Sequence, residues 1–176
     1  MTFKKYFIAI VIPEPFLGEI EGMKTALFKS HGLKGALRCS AHITMHRPFE
    51  WKEEKENILI EKLAQFQLKN PFDIFLKDFA FFEPRVIYID VLPNAHLNEM
   101  HIALTQYAKR ELKLFNESED MRGFHPHVTI AFRDLKKSIF YALKSDFSQK
   151  QFDCQFNFTR IALLKLDKNW QVLQEF

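Results

Sequence analysis

Glycine and proline are scarce in this chain, 5 and 7 of 176 residues, while phenylalanine alone supplies 20. That balance excludes low-hydrophobicity disorder and describes an ordered chain rich in sheet. Cysteine is scarcer still. Cys39 and Cys154 lie far apart without CxxC or zinc-finger spacing, which excludes a disulfide framework and points to reduced thiols. Long apolar runs are missing too. Tyr6 to Ile12 follows a Lys pair as a secretory signal would, but Pro13, Glu14 and Pro15 end it and no small-residue cleavage site follows. No run reaches the roughly 18 apolar residues of a membrane span, so a cytoplasmic protein without a membrane partner is expected. Charge of one sign is also lacking: 25 basic residues face 22 acidic ones. This excludes a general nucleic-acid coat and leaves any phosphate affinity to local residues.

What is present is a repeated order of elements. Tyr6–Ile12 reads as a strand, Phe16–Ser30 as a helix, and Gly32 and Gly35 open a loop carrying Lys34 and Arg38. A short strand Ala41–Met45 ends near Pro48; an amphipathic helix Trp51–Phe66 and a strand Phe72–Phe82 follow. The order then restarts: strand Val86–Leu92, helix Ala95–Leu114, an exposed loop through Glu117 and Asp120, and strand His127–Phe132. A helix Asp134–Leu143, a strand Phe152–Leu166 and a last strand Trp170–Phe176 close the chain. Phe72-Asp73 recurs as Phe152-Asp153, and His42-Ile43-Thr44 recurs as His127-Val128-Thr129. Two copies are too few for a solenoid. The expectation is one domain over residues 1–176, α+β, built as two pseudo-symmetric lobes (about 1–83 and 84–176) with antiparallel sheets lining a central cleft and helices packed outside.

The two His-x-Thr segments carry the chemistry. Residues i and i+2 of a strand share a face, so each segment presents an imidazole beside a hydroxyl while Ile43 or Val128 turns to the core. Two such pairs around one phosphate make a set suited to phosphodiester cleavage without a metal. One neutral imidazole takes a proton from the attacking oxygen, and the other, as imidazolium, protonates the departing one. The ordinary pKa of histidine allows either form near neutrality, and which of His42 and His127 takes which part stays open. Thr44 and Thr129 would donate hydrogen bonds to the non-bridging oxygens. Chance predicts roughly 0.24 His-x-Thr tripeptides in such a chain, so two at matching places in a repeat exceed accident. A zinc site from His42, His46, His125 and His127 is the competing constellation, but it lacks Cys or carboxylate ligands at suitable spacing, so no metal and no cofactor are expected.

In an unbroken strand His46 shares the face of His42 and Thr44, and Arg133 that of His127 and Thr129, so both are further candidates for substrate contact. Arg133 is suited to clamp a phosphate through two hydrogen bonds. Lys34 and Arg38 sit where a mobile basic loop could meet the next phosphate of an RNA. Phe49, Trp51, Phe82 and Phe124 are candidates for stacking on a base, against a background in which most aromatics fill the core. His31, His96 and His101 fall in or beside expected helices and read as surface residues.

Ala41-His42-Ile43-Thr44-Met45 and Phe124-His125-Pro126-His127-Val128-Thr129-Ile130-Ala131 resemble the two motifs of the two-histidine (2H) phosphoesterase superfamily, which includes 2′-5′ RNA ligase and 2′,3′-cyclic phosphodiesterase families. The resemblance covers most of the chain. It implies the two-lobed fold, catalytic roles for His42 and His127, phosphate binding by Thr44 and Thr129, and no need for a metal. The expected function is a monomeric phosphoesterase acting on 2′,3′-cyclic phosphate or 2′-5′ phosphodiester bonds of RNA or a nucleotide, with 2′-5′ RNA ligation as the same reaction reversed. A nucleotide- or RNA-binding module of the same fold with little turnover is the alternative.

Overall fold

The computed structural model describes residues 2–67, 70–116 and 123–176; the loop expected through Glu117 and Asp120 lies outside them. Among the described residues eight strands are formed: β1 (Phe3–Val11), β2 (His42–Lys52), β3 (Phe72–Phe82), β4 (Val86–Val91), β5 (His127–Ala131), β6 (Asp153–Phe158), β7 (Ala162–Leu166) and β8 (Trp170–Glu175). Four helices accompany them: α1 (Phe16–His31), α2 (Glu56–Ala64), α3 (Ala95–Tyr107) and α4 (Lys137–Phe147). All strand pairs are antiparallel, in the order β6-β3-β4-β5-β2-β1-β7-β8. The expected sheets of the two lobes are thus joined, and the joint is a single paired position, Ile43 opposite Val128.

The register makes the pseudo-symmetry explicit. In β1–β2, Ala9 faces Thr44, Ile10 faces Ile43 and Val11 faces His42. In β4–β5, Tyr88 faces Thr129, Ile89 faces Val128 and Asp90 faces His127. The chain reaches this symmetry by exchange: β3 pairs with β4 and β6, while β7 and β8 return to β1. The division of the sheet therefore does not fall at the division of the chain near residue 83.

Alternation decides what each strand buries. Tyr6, Ile8 and Ile10 of β1 join the main core together with Ile20 and Leu27 of α1, Leu59 and Leu63 of α2, Leu97, Met100 and Leu104 of α3, and Phe140, Leu143 and Phe147 of α4. The helical residues recur at three- and four-residue spacing, the stripe an amphipathic helix needs. Phe7 and Ala9 point the other way and pack with Ala162 and Leu164 in a small second cluster. The helices are closed by local chemistry. Asn94 Oδ1 accepts the Leu97 N–H at the start of α3, and Gly32, at φ 70°, ends α1 with its N–H on the Phe28 carbonyl.

Five expected elements differ. Strand β2 continues through Pro48 to Lys52, because β1 pairs with it as far as Phe3 opposite Lys52, and the helix expected from Trp51 is confined to Glu56–Ala64. Pro48 lies in a register shift between the Tyr6–Phe49 and Ile8–His46 pairs, where its missing N–H interrupts no ladder bond. The long strand expected over Phe152–Leu166 is two strands, β6 on β3 and β7 on β1. Helix α3 gives way to a π-helical segment at Ala108–Leu112, and α4 begins at Lys137, after Asp134 has been used elsewhere. No helix among the described residues is long and apolar enough to cross a membrane.

Candidate functional site

Strands β2 and β5 begin at the two motif histidines and meet at Ile43 and Val128, which face the main core. By alternation His42, Thr44, His127 and Thr129 share the opposite face, all partly exposed. Antiparallel pairing about this position sets His42 on the side of Thr129 and Thr44 on the side of His127. The four groups form one diagonal patch on adjacent strands. The sequence alone suggested two pairs facing each other across a groove, and the joining of β2 to β5 makes them neighbours instead.

Each imidazole is held in the same way. His42 Nδ1 lies 2.6 Å from the Ser40 carbonyl oxygen, and His127 Nδ1 lies 2.7 Å from the His125 carbonyl oxygen, two residues back in both cases. A carbonyl can only accept, so Nδ1 carries the hydrogen and Nε2 remains as the nitrogen that can exchange a proton with a ligand. Rings pack against both. Phe7 lies 5.0 Å from His42 and Trp170 lies 4.6 Å from Phe7; Tyr88 and Phe82 lie 5.0 and 5.2 Å from His127.

The electrostatic settings differ. Burial above all, opposed by the Ser40 hydrogen bond and aided by the Lys24 ammonium and His127, lowers the His42 pKa from 6.5 to about 4. Lys24 is a lysine in the apolar stripe of α1, only 2% exposed, with Nζ 2.7 Å from Glu21 Oε1 and 2.9 Å from the Cys39 carbonyl oxygen. Glu21 Oε1 also accepts the Ala41 N–H, tying α1 to the segment before His42. Burial lowers the His127 pKa as well, and His125 adds to this, while the His125 carbonyl bond and Asp90 oppose it. Asp90 stands opposite His127 where Val11 stands opposite His42, and its Oδ1 lies 3.5 Å from His125 Nε2. Cys39 Sγ lies 3.4 Å from His42 Nδ1, but burial pushes its thiol up to about 12, so it stays protonated.

A cavity of about 330 Å³ opens on this face, lined by His42, Thr44, Thr129 and Arg133. Lys5, Lys24 and Arg38 add cations, and no carboxylate is among the described lining residues. Phe7, Leu166 and Trp170 supply an apolar wall. Arg133 arrives by an unexpected path. β5 stops at Ala131, and a left-handed residue, φ 67° at Arg133, turns the side chain to the cavity with its guanidinium 5.1 Å from the Phe132 ring. The adjacent Asp134 accepts the backbone N–H groups of Lys34 and Gly35 at 2.7 and 3.0 Å. A Cβ on Gly35 would sit 2.5 Å from the Phe132 carbonyl, so only glycine allows this close docking. The expected mobile basic loop is thus pinned beside the site.

His46 is a correction. Met45 is skipped between the Thr44–Ala9 and His46–Ile8 pairs, and this bulge turns His46 to the core face beside Ile8. It is 1% exposed, its Nδ1 lies 2.9 Å from the Arg47 carbonyl oxygen, and its ring meets Phe49 edge-on. It neither lines the cavity nor joins a ligand set with His42, and among the described residues no group of three metal-binding side chains occurs. Of the nominated stacking residues, Phe49 is core, Trp51 bonds the Lys55 carbonyl, Phe124 stacks on His101 at 3.8 Å, and Phe82 alone lies against a motif histidine. Sequence reasoning missed Phe7, Trp170, Tyr88, Lys24 and Asp90. The last two left a signal, a lysine within a buried helical stripe and an acid within the apolar run of β4.

Comparison of the sequence with curated proteins finds no match. Solved structures do match. Escherichia coli LigT complexed with 3′-AMP superposes with a TM-score of 0.68 at 18% identity, covering 100% of this chain and 98% of that one. TT0787 of Thermus thermophilus gives 0.66 at 18% identity, covering 98% and 96%. LigT complexed with NADP+ gives 0.67 at 20% identity, covering 99% and 98%. These likenesses show the fold. The family model of the 2′-5′ RNA ligase superfamily matches residues 12–170, a span that holds both histidine motifs and every strand from β2 to β7. With nearly the whole chain matched, this protein belongs to the 2′-5′ RNA ligase superfamily, in keeping with its resemblance to the 2H phosphoesterases.

Proposed function

We propose that the protein is a metal-independent phosphodiesterase that opens 2′,3′-cyclic phosphates or cuts 2′-5′ linkages of RNA or nucleotides, with ligation of 2′-5′ ends as the reverse reaction. The observation that carries this reading is the diagonal patch of two imidazoles and two hydroxyls, both Nδ1 atoms fixed by carbonyls, beside a cavity whose described lining holds cations and no carboxylate. The family supports phosphoester chemistry, and the LigT structures with 3′-AMP, ATP and NADP+ make nucleotides the natural ligand class.

His42 acts as the base and His127 as the acid in the hydrolytic direction. Burial, aided by the Lys24 ammonium, keeps His42 Nε2 unprotonated, and the Asp90 carboxylate favours the charged form of His127 once an anionic phosphate adds its own field. Water attacks phosphorus and gives its proton to His42 Nε2. The bond from phosphorus to the leaving ribose oxygen breaks, and that oxygen takes the proton of His127 Nε2. Thr44 and Thr129 donate to the non-bridging oxygens as phosphorus becomes five-coordinate, and Arg133 balances the charge.

The test is hydrolysis of a 2′,3′-cyclic nucleotide in the presence of EDTA. Turnover is expected to persist, and to fall by about 10² to 10⁴ in His42→Ala and in His127→Ala with folding unchanged. Turnover that requires added zinc would refute the reading.

A further inference from the structure

The cavity at His42 borders a second one. Its lining includes Lys5 and Pro48, and both also line a second cavity of about 440 Å³ that continues toward Glu50, Lys113 and Phe115. Lys5 shares the face of Phe7 and Ala9 on β1, so it stands on the same side of the sheet as the motif hydroxyls. Thr44 and Pro48 are four residues apart on β2, roughly 13 Å for an extended strand. A ligand that occupies both cavities is therefore a chain, with its reacting phosphate at one end.

The far cavity has the chemistry of a single-strand nucleic-acid site. Phe115 is 71% exposed, the most exposed large apolar side chain among the described residues. Its backbone is tied on both sides. Asn116 Nδ2 donates to the Pro48 carbonyl at 2.8 Å, and the Leu114 N–H bonds the Ala108 carbonyl at 3.1 Å after Lys113 closes the helix in the left-handed region. Among the described lining residues Lys5 and Lys113 are cations and Glu50, which stands opposite Lys5 in the strand register, is the carboxylate. An exposed ring on an anchored backbone offers a π face to a base at little entropic cost, and flanking ammonium groups neutralise the phosphates that join it to its neighbours.

We propose that Phe115, Lys113 and Lys5 form a subsite for a nucleobase and a phosphate upstream of the reacting end, so that an oligonucleotide is held more tightly than a mononucleotide reacting at the same phosphate. This rests on the phosphodiesterase reading of the first cavity.

The experiment measures binding and turnover separately. A 5′-fluorescein tetraribonucleotide ending in a 3′-phosphate is titrated by fluorescence polarisation, with 3′-AMP as the single-nucleotide competitor. Phe115→Ala is expected to weaken the tetranucleotide about tenfold and leave 3′-AMP unchanged, and Lys113→Gln to flatten the salt dependence by about one counterion. Equal affinity of the wild-type protein for both lengths, or no effect of Phe115→Ala, would overturn the subsite and leave the ring as a face for a protein partner. Failure of the phosphodiesterase reading would appear differently, as length-dependent binding with no hydrolysis of any cyclic phosphate.

Discussion

His42 and His127 hold equivalent places in the two halves of one sheet, with the same Nδ1 bond to the carbonyl two residues back. Their surroundings are not equivalent. Across the ladder from His42 is Val11, with the buried Lys24 ammonium behind it; across from His127 is Asp90, with His125 and Tyr88 beside it. The register and the hydroxyls are alike in the two halves, while the charges around the two rings differ. Two imidazoles in identical settings would compete for the same proton. A cation near one and an anion near the other separate an acid from a base without altering the geometry of either.

The sharpest way to break this comparison is a change of leaving group. With a nitrophenyl phosphodiester, whose departing oxygen needs no proton, His127→Ala should recover most of its lost rate while His42→Ala stays impaired, a difference of about 10² or more. Equal recovery in both variants would show that the histidines do not divide the work as their neighbours suggest. The part that the two halves share makes a smaller claim. Thr44 and Thr129 both line the cavity, so Thr44→Val and Thr129→Val should each lower kcat by about 10² with little change in thermal midpoint. A loss confined to one of them would mean that a single hydroxyl meets the developing charge.

The smallest effects lie in the pH profile of kcat/KM. The acid limb belongs to protonation of the base, His42 at about 4, and the alkaline limb to loss of the proton from His127, lowered below 6.5, so the optimum falls on the acid side of neutrality. Removing the cation in Lys24→Met relieves repulsion of protonated His42, raises its pKa and moves the acid limb up. Removing the anion in Asp90→Asn lowers the His127 pKa and moves the alkaline limb down. Both variants narrow the bell, from opposite sides, and a shift of both limbs together would sink the assignment.

Much of this was legible in the chain. Strand β3 and the start of α1 match the expected bounds, and strand periodicity put each His and Thr on one face because that relation is local. His46 was misread for an equally specific reason. A bulge at Met45 reverses alternation, and it arises from pairing with β1, which no pattern within β2 records. The single strand expected over residues 152–166 failed because its two parts pair with β3 and β1, on opposite sides of the sheet centre.

The amino-acid order by itself determined the candidate set: two imidazoles, two hydroxyls, their spacing, and their recurrence in a repeated strand order. Tertiary structure decided what those groups experience. It brought Phe7 from the first strand against His42 and Trp170 from the last against Phe7, turned Lys24 inward behind the site, set Asp90 across from His127, and placed Lys5 and Pro48 in the lining of both cavities. The physical reason is range. Side-chain alternation is a property of neighbouring residues, whereas burial, field and cavity shape are sums over segments that meet only after the sheet has closed.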